Sequence, residues 1–199
     1  PPGSGKSTLA AWLESYLSPS QFDVLTLSLM RQEAHQGWLV PSLAKYFGIE
    51  TTGRTDTQVL RKIGTNFDDL VEDNRRMFII VDAAERLRSP QALEEVAAML
   101  NLQALTQPFL SFMFCGATHF EDVVRSLPEL ACRVSFHGVL HPVNLEDLEL
   151  YVKFRLGLAG IGQSPFEPAA IQRVLHLSKG LLTVINSIAE NALLEAAQT

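Results

Sequence analysis

The chain opens on Pro1-Pro2-Gly3-Ser4-Gly5-Lys6-Ser7-Thr8, and these eight residues constrain its fold more than any other stretch. They match the pattern G-x-x-x-x-G-K-[ST] from its second position, with the pattern's first glycine expected just ahead of Pro1. Each residue type answers a chemical need. Glycines let the backbone curl around phosphate with its N–H groups turned inward, Lys6 brings a positive charge to the β and γ phosphates, and the Ser7 hydroxyl can ligate Mg²⁺. Pro2, Gly3, Ser4, Gly5, Lys6, Ser7 and Thr8 are therefore the expected nucleotide-binding residues. Leu9, Trp12, Leu13, Tyr16 and Leu17 follow at i, i+3, i+4, i+7 and i+8, which predicts an amphipathic helix running straight out of the loop with those residues inward. The phosphate then faces a helix N-terminus, where the backbone dipole favours an anion. ATP or ADP with Mg²⁺ is the expected ligand.

With 199 residues, 47% of them hydrophobic, the chain can bury a full core, in one α/β domain or in one domain plus a small satellite. The formal net charge is -6 and no basic run exceeds two residues, as in Arg75-Arg76, so nucleic acid is not an expected partner. Cys115 and Cys132 lie in or beside apolar stretches without metal-ligand spacing, and both read as buried, reduced thiols of a cytoplasmic protein. No apolar run reaches the ~18 residues of a membrane span. A targeting segment could precede Pro1, and in a longer protein the domain could work at the cytoplasmic face of the inner membrane.

Along the chain, Phe22 to Leu29 alternates as a strand. Helices are expected over Ala34 to Phe47 and from Thr55 to about Asn74, the second opened by a Thr55/Gln58 capping box. Met77 to Val81 is a continuous apolar run ending in Asp82, as a buried parallel strand would deliver a carboxylate to the C-terminal edge of a sheet. Ser89-Pro90 opens a helix to about Leu100, and Leu110 to Cys115 is a further strand closed by Gly116. Beyond Pro142 only helices are expected: one capped by Asn144, one over Glu167 to Leu177, and one from about Leu182. The predicted architecture is an α/β P-loop domain over 1–142, with a first strand expected before the loop, and a helical lid over 143–199.

Several of these segments carry a resemblance. Asp82-Ala83-Ala84-Glu85-Arg86-Leu87 and Ser89-Pro90-Gln91-Ala92-Leu93-Glu94-Glu95-Val96 are similar to D-E-A-H-N-L and S-P-E-A-L-E-E-L of the ExeA-type AAA+ ATPases of general secretion pathways. Gly116-Ala117-Thr118-His119-Phe120, Pro128-Glu129-Leu130 with Arg133-Val134, and Ser178 to Asn186 resemble that family's G-Q-P-E-L, P-E-L…R-I and S-R-G-I-P-R-L-I-N. Transposition-helper ATPases and DamX-like proteins are relatives of the same family. The resemblance implies a P-loop fold of the AAA+ type with a helical lid, ATP hydrolysis, and work on secretion or cell-envelope proteins.

Set against that pattern, the catalytic positions are uneven. Asp82 can hold Mg²⁺ with Ser7, but the next residue, which in a P-loop ATPase orients the attacking water, is Ala83. Glu85 is the nearest carboxylate, either turned back toward the γ-phosphate or left on the surface. Ala117 replaces the family's glutamine, leaving Thr118 as the nearest hydroxyl, and Thr183 replaces a lid arginine that it is too short and uncharged to mimic. Arg133 stands where relatives present an arginine finger to a neighbouring subunit, which would imply a homo-oligomer; a structural ion pair is the plainer role. The candidate catalytic set is thus Asp82, Glu85, Thr118 and Arg133. Binding residues survive and turnover residues do not, which points to slow hydrolysis in an envelope or secretion protein, with a non-hydrolysing ATP-binding scaffold and a transposition helper as alternatives. His119, His137 and His141 read as surface or capping residues, and Trp12 and Trp38 as core or groove-lining.

Overall fold

The computed structural model describes residues 2–30, 37–102 and 109–198. Three parallel strands, β1 (Phe22–Ser28), β2 (Arg76–Asp82) and β3 (Leu110–Cys115), form one sheet in that order. The central strand β2 is nearly all apolar, as burial on both faces requires. Met77, Ile79 and Val81 enter the larger core on one face, and Ile80 and Phe78 join a smaller cluster on the other. Asp82 ends the run, in register with Ser28 on one side and Cys115 on the other. An ionised carboxylate one residue earlier would sit unsolvated in the core.

The larger core is filled by α2 (Leu39–Tyr46), α3 (Asp56–Glu72) and α4 (Gln91–Leu102). The capping box at α3 forms: the Thr55 side chain accepts the Gln58 N–H, and the Gln58 side chain accepts the Thr55 N–H. The expected helical start at Ala34 lies outside the described residues. Within them α2 begins at Leu39, whose N–H donates to the Glu95 carboxylate of α4, while the buried Trp38 indole donates to the Ala92 carbonyl at 2.7 Å. Two short helices that the periodicity did not reveal, α5 (Phe120–Arg125) and α6 (Pro128–Ala131), add Phe120 and Leu130 to the same core.

Two expectations are corrected here. The first helix, α1 (Lys6–Tyr16), does not bury the stripe through Leu9, Trp12 and Tyr16; Trp12 is 56% and Tyr16 73% exposed, their rings stacked 5.2 Å apart. Ala10 is the residue that meets the sheet, beside Ile80 and Cys115, and its small side chain lets the helix turn so that Leu13 and Leu17 are only half-buried. Cys132 is also not buried. It lies at the end of the single turn of α6, facing solvent, whereas Cys115 is buried as expected.

Lys6–Gly138 forms one unit, and Pro1–Gly5 with Val139–Thr199 forms another. In the second, α7 (Leu145–Leu158), α8 (Pro168–Ser178) and α9 (Leu182–Ala196) pack around Leu148, Val174 and Ile185. Asn144 caps α7 by accepting the Asp147 N–H at 2.9 Å. The turn between α8 and α9 places Lys179 and Gly180 at φ 51° and 74°, with the buried Ser178 hydroxyl accepting the Gly180 N–H. Asn186 of the same motif accepts a hydrogen bond from Tyr151 of α7 at 2.8 Å. Among the described residues no helix is long and apolar enough to cross a membrane.

Candidate nucleotide site

Within the sheet unit, Lys6 and Ser7 occupy the first turn of α1. The Ser7 hydroxyl donates to Asp82 Oδ2 at 2.7 Å, a charge-assisted bond spanning 75 residues of sequence. Asp82 Oδ1 accepts the Ala83 N–H at 2.9 Å, so both carboxylate oxygens are oriented. Oxygen donors from a hydroxyl and a carboxylate suit a hard cation such as Mg²⁺, and the two expected metal ligands are already side by side. Behind them, burial pushes the Cys115 thiol above its ordinary range, the Asp82 charge adds to the rise, and Lys6 offsets part of it. The rise favours the protonated thiol at neutral pH.

In the other unit, Gly3 and Gly5 adopt φ values of 78° and 93°, backbone that side-chain-bearing residues rarely adopt. Ser4 between them is buried. The Gly3 carbonyl accepts the N–H and hydroxyl of Thr183 at 3.3 and 3.4 Å, and a Cβ on Gly3 would stand 2.9 Å from the Thr183 oxygen. Thr183 therefore contacts the loop backbone itself. Pro2 and Thr8 are exposed at either end of the motif.

The remaining catalytic candidates fall in different places. After Asp82 the chain turns through Ala83 at φ 57°, ψ 37°, into a single 3-10 turn over Ala84–Arg86. That turn carries Glu85 to the end of β3, where its carboxylate accepts the Ala117 N–H at 3.2 Å. Thr118 is exposed in the same loop, its carbonyl accepting the Glu121 N–H of α5. The Arg133 guanidinium donates to the Leu100 carbonyl and the Asn101 side chain at the end of α4. A finger role would require it to leave those partners. No sequence signal marks the left-handed turn at Ala83, because alanine adopts it at a cost of about 1–2 kcal/mol. Ala83→Gly is expected to raise stability by about 0.5–1 kcal/mol, read as a higher denaturation midpoint, after allowing for glycine's more flexible unfolded chain. A lower midpoint would mean that the turn is not strained.

A family profile described as AAA domain matches residues 1–124. General secretion pathway protein A of Aeromonas hydrophila is 32% identical over 138 residues, 64% of this chain and 25% of that protein. The chain thus spans about a quarter of that relative's length. Among solved structures, the ORC2 protein of Aeropyrum pernix in its ADPNP-ADP complexes superposes with a TM-score of 0.70 at 16% identity, over 99% of this chain and 55% of that one. The Cdc6p structure from Pyrobaculum aerophilum gives 0.58 at 16% identity, over 87% of this chain and 45% of the other. With the family profile covering more than half the chain, and the loop, the parallel sheet and Asp82 all in place, the chain belongs to the AAA domain family.

Proposed function

We propose that this domain binds ATP with Mg²⁺ through the loop from Pro2 to Thr8 and hydrolyses it slowly. The observation that carries the reading is the Ser7–Asp82 hydrogen bond at 2.7 Å, which sets the two oxygen donors for the metal at the start of α1. Lys6 would neutralise the β and γ phosphates, and the loop's backbone N–H groups would hold their oxygens. Bound Mg²⁺ supplies charge neutralisation at the transferring phosphoryl group. Ala83 has no atom that can accept a proton, and Thr183 no charge to place at the γ-phosphate, so the chain binds the ground state better than it stabilises the transition state.

Slow turnover suits a nucleotide used as a conformational ligand, whose presence shifts the populations of two arrangements of the protein. The likeness to general secretion pathway protein A supports work in secretion, and our reading places that work at a cell-envelope assembly from the cytoplasmic side. The scaffold reading differs only in degree: the replacements at Ala83, Ala117 and Thr183 favour it if hydrolysis falls to zero. Steady-state phosphate release under saturating ATP and Mg²⁺ decides the matter, with an expected rate below about 1 s⁻¹, low on the enzyme scale. A faster rate means that another group does the work of the missing carboxylate.

A further inference from the structure

We propose that Glu85 is a positioning residue that holds the loop after β3, and with it Thr118, at the sheet edge beside Asp82, where the Thr118 hydroxyl can meet a bound phosphate, and that it does so as a hydrogen-bond acceptor rather than as a proton acceptor. The inference rests on the nucleotide reading above. Its geometry lies wholly within the sheet unit. Asp82 and Cys115 are register partners, so the turns that follow them emerge side by side at the C-terminal edge of the sheet. The left-handed Ala83 folds the first turn over toward the second. Gly116 eases this close approach: a Cβ there would stand a tight 3.1 Å from the Glu85 backbone nitrogen and 3.4 Å from both Ala84 Cβ and Glu85 Oε2. Across that contact Glu85 Oε2 takes the Ala117 N–H at 3.2 Å.

The arrangement explains two departures that the sequence leaves unconnected. Ala117 has no side chain with which to hold its own loop, and Glu85 supplies the hold from the neighbouring turn. Thr118 follows at once, exposed, and its side chain makes no hydrogen bond among the described residues, so its hydroxyl is available to a ligand. Ala84 is fully buried beneath the turn, which fixes the backbone from which the Glu85 side chain reaches Ala117.

The test compares Glu85→Ala, which removes the acceptor, with Glu85→Gln, which keeps an oxygen acceptor and removes the base. Affinities for ATP and ADP are measured separately by calorimetry, and exchange of the Ala117 amide is followed by NMR in nucleotide-free protein. Glu85→Ala is expected to lose about tenfold of the preference for ATP over ADP with ADP affinity kept, and to speed Ala117 exchange about tenfold, the scale of one net hydrogen bond. Glu85→Gln is expected to stay within about threefold of the parent in both. A Gln variant as impaired as the Ala variant overturns the proposal, as does an Ala variant with unchanged exchange and unchanged ATP preference. Failure of the parent protein to bind ATP defeats the nucleotide reading instead, and the exchange arm still reports whether Glu85 holds the loop.

Discussion

Lys6→Ala is expected to weaken ATP binding by about 100-fold, about 2.7 kcal/mol, while leaving the fold intact. The ammonium is the only side-chain cation in the motif, and its bonds to phosphate oxygens are charge-assisted, each worth about 1.5–3 kcal/mol. Neither Asp82 nor Ser7 can replace it, since one is an anion already engaged by the other. Alanine is a good helix former at the start of α1, so the thermal midpoint should move little. Calorimetric titration with ATP checks the affinity, and a thermal unfolding scan of the nucleotide-free variant checks the fold. Unchanged affinity would mean that phosphate is held elsewhere.

Gly180→Ala is expected to destabilise the helical unit by about 3 kcal/mol or more, enough to unfold a marginal bundle. Gly180 sits at φ 74°, and an added Cβ would lie 2.4 Å from the Val143 carbonyl oxygen, 3.0 Å from the Val143 nitrogen and 2.9 Å from Pro142 Cβ. Two of those three neighbours are backbone, and the Val143 N–H donates to the Gly180 carbonyl at 3.0 Å, so relief requires breaking the bond that fixes the entry to α7. Strain from the dihedral and from the overlap therefore add. Gly64, in the middle of α3, is the control: nothing lies within 4 Å of its added Cβ, and Gly64→Ala should stabilise by about 0.5–1 kcal/mol. Hydrogen exchange of the α8 and α9 amides separates the two, accelerating in the first variant only. If Gly180→Ala leaves those amides protected, the packing of the turn onto Val143 is not what holds the unit together.

The strands and caps were legible because each is written locally. Met77 to Asp82 announces a central parallel strand by its unbroken apolar run, and the Thr55/Gln58 and Asn144 caps depend on residues three positions apart. The rotation of α1 was not legible, since Leu9, Trp12 and Tyr16 share the period of a buried face and only the close contact of Ala10 with Ile80 and Cys115 decides otherwise. Cys132 failed for a related reason, since apolar neighbours in sequence do not say which way a one-turn helix faces. At the site, the pairing of Ser7 with Asp82 followed from motif chemistry. The role of Glu85 was not, because it depends on a left-handed alanine and on a backbone N–H 32 residues away. Arg133, read from sequence as a finger or an ion pair, meets neutral acceptors at the carboxy end of α4.

The central claim, that the loop secures nucleotide without completing its hydrolysis, is tested most directly by a single-turnover experiment. Protein in excess is mixed with labelled ATP and Mg²⁺, and the nucleotide retained on the protein is identified over time. Label is expected to be retained, most of it still as ATP after about one second, consistent with turnover below about 1 s⁻¹. Absence of retained nucleotide, or its full conversion to ADP within that time, would contradict it.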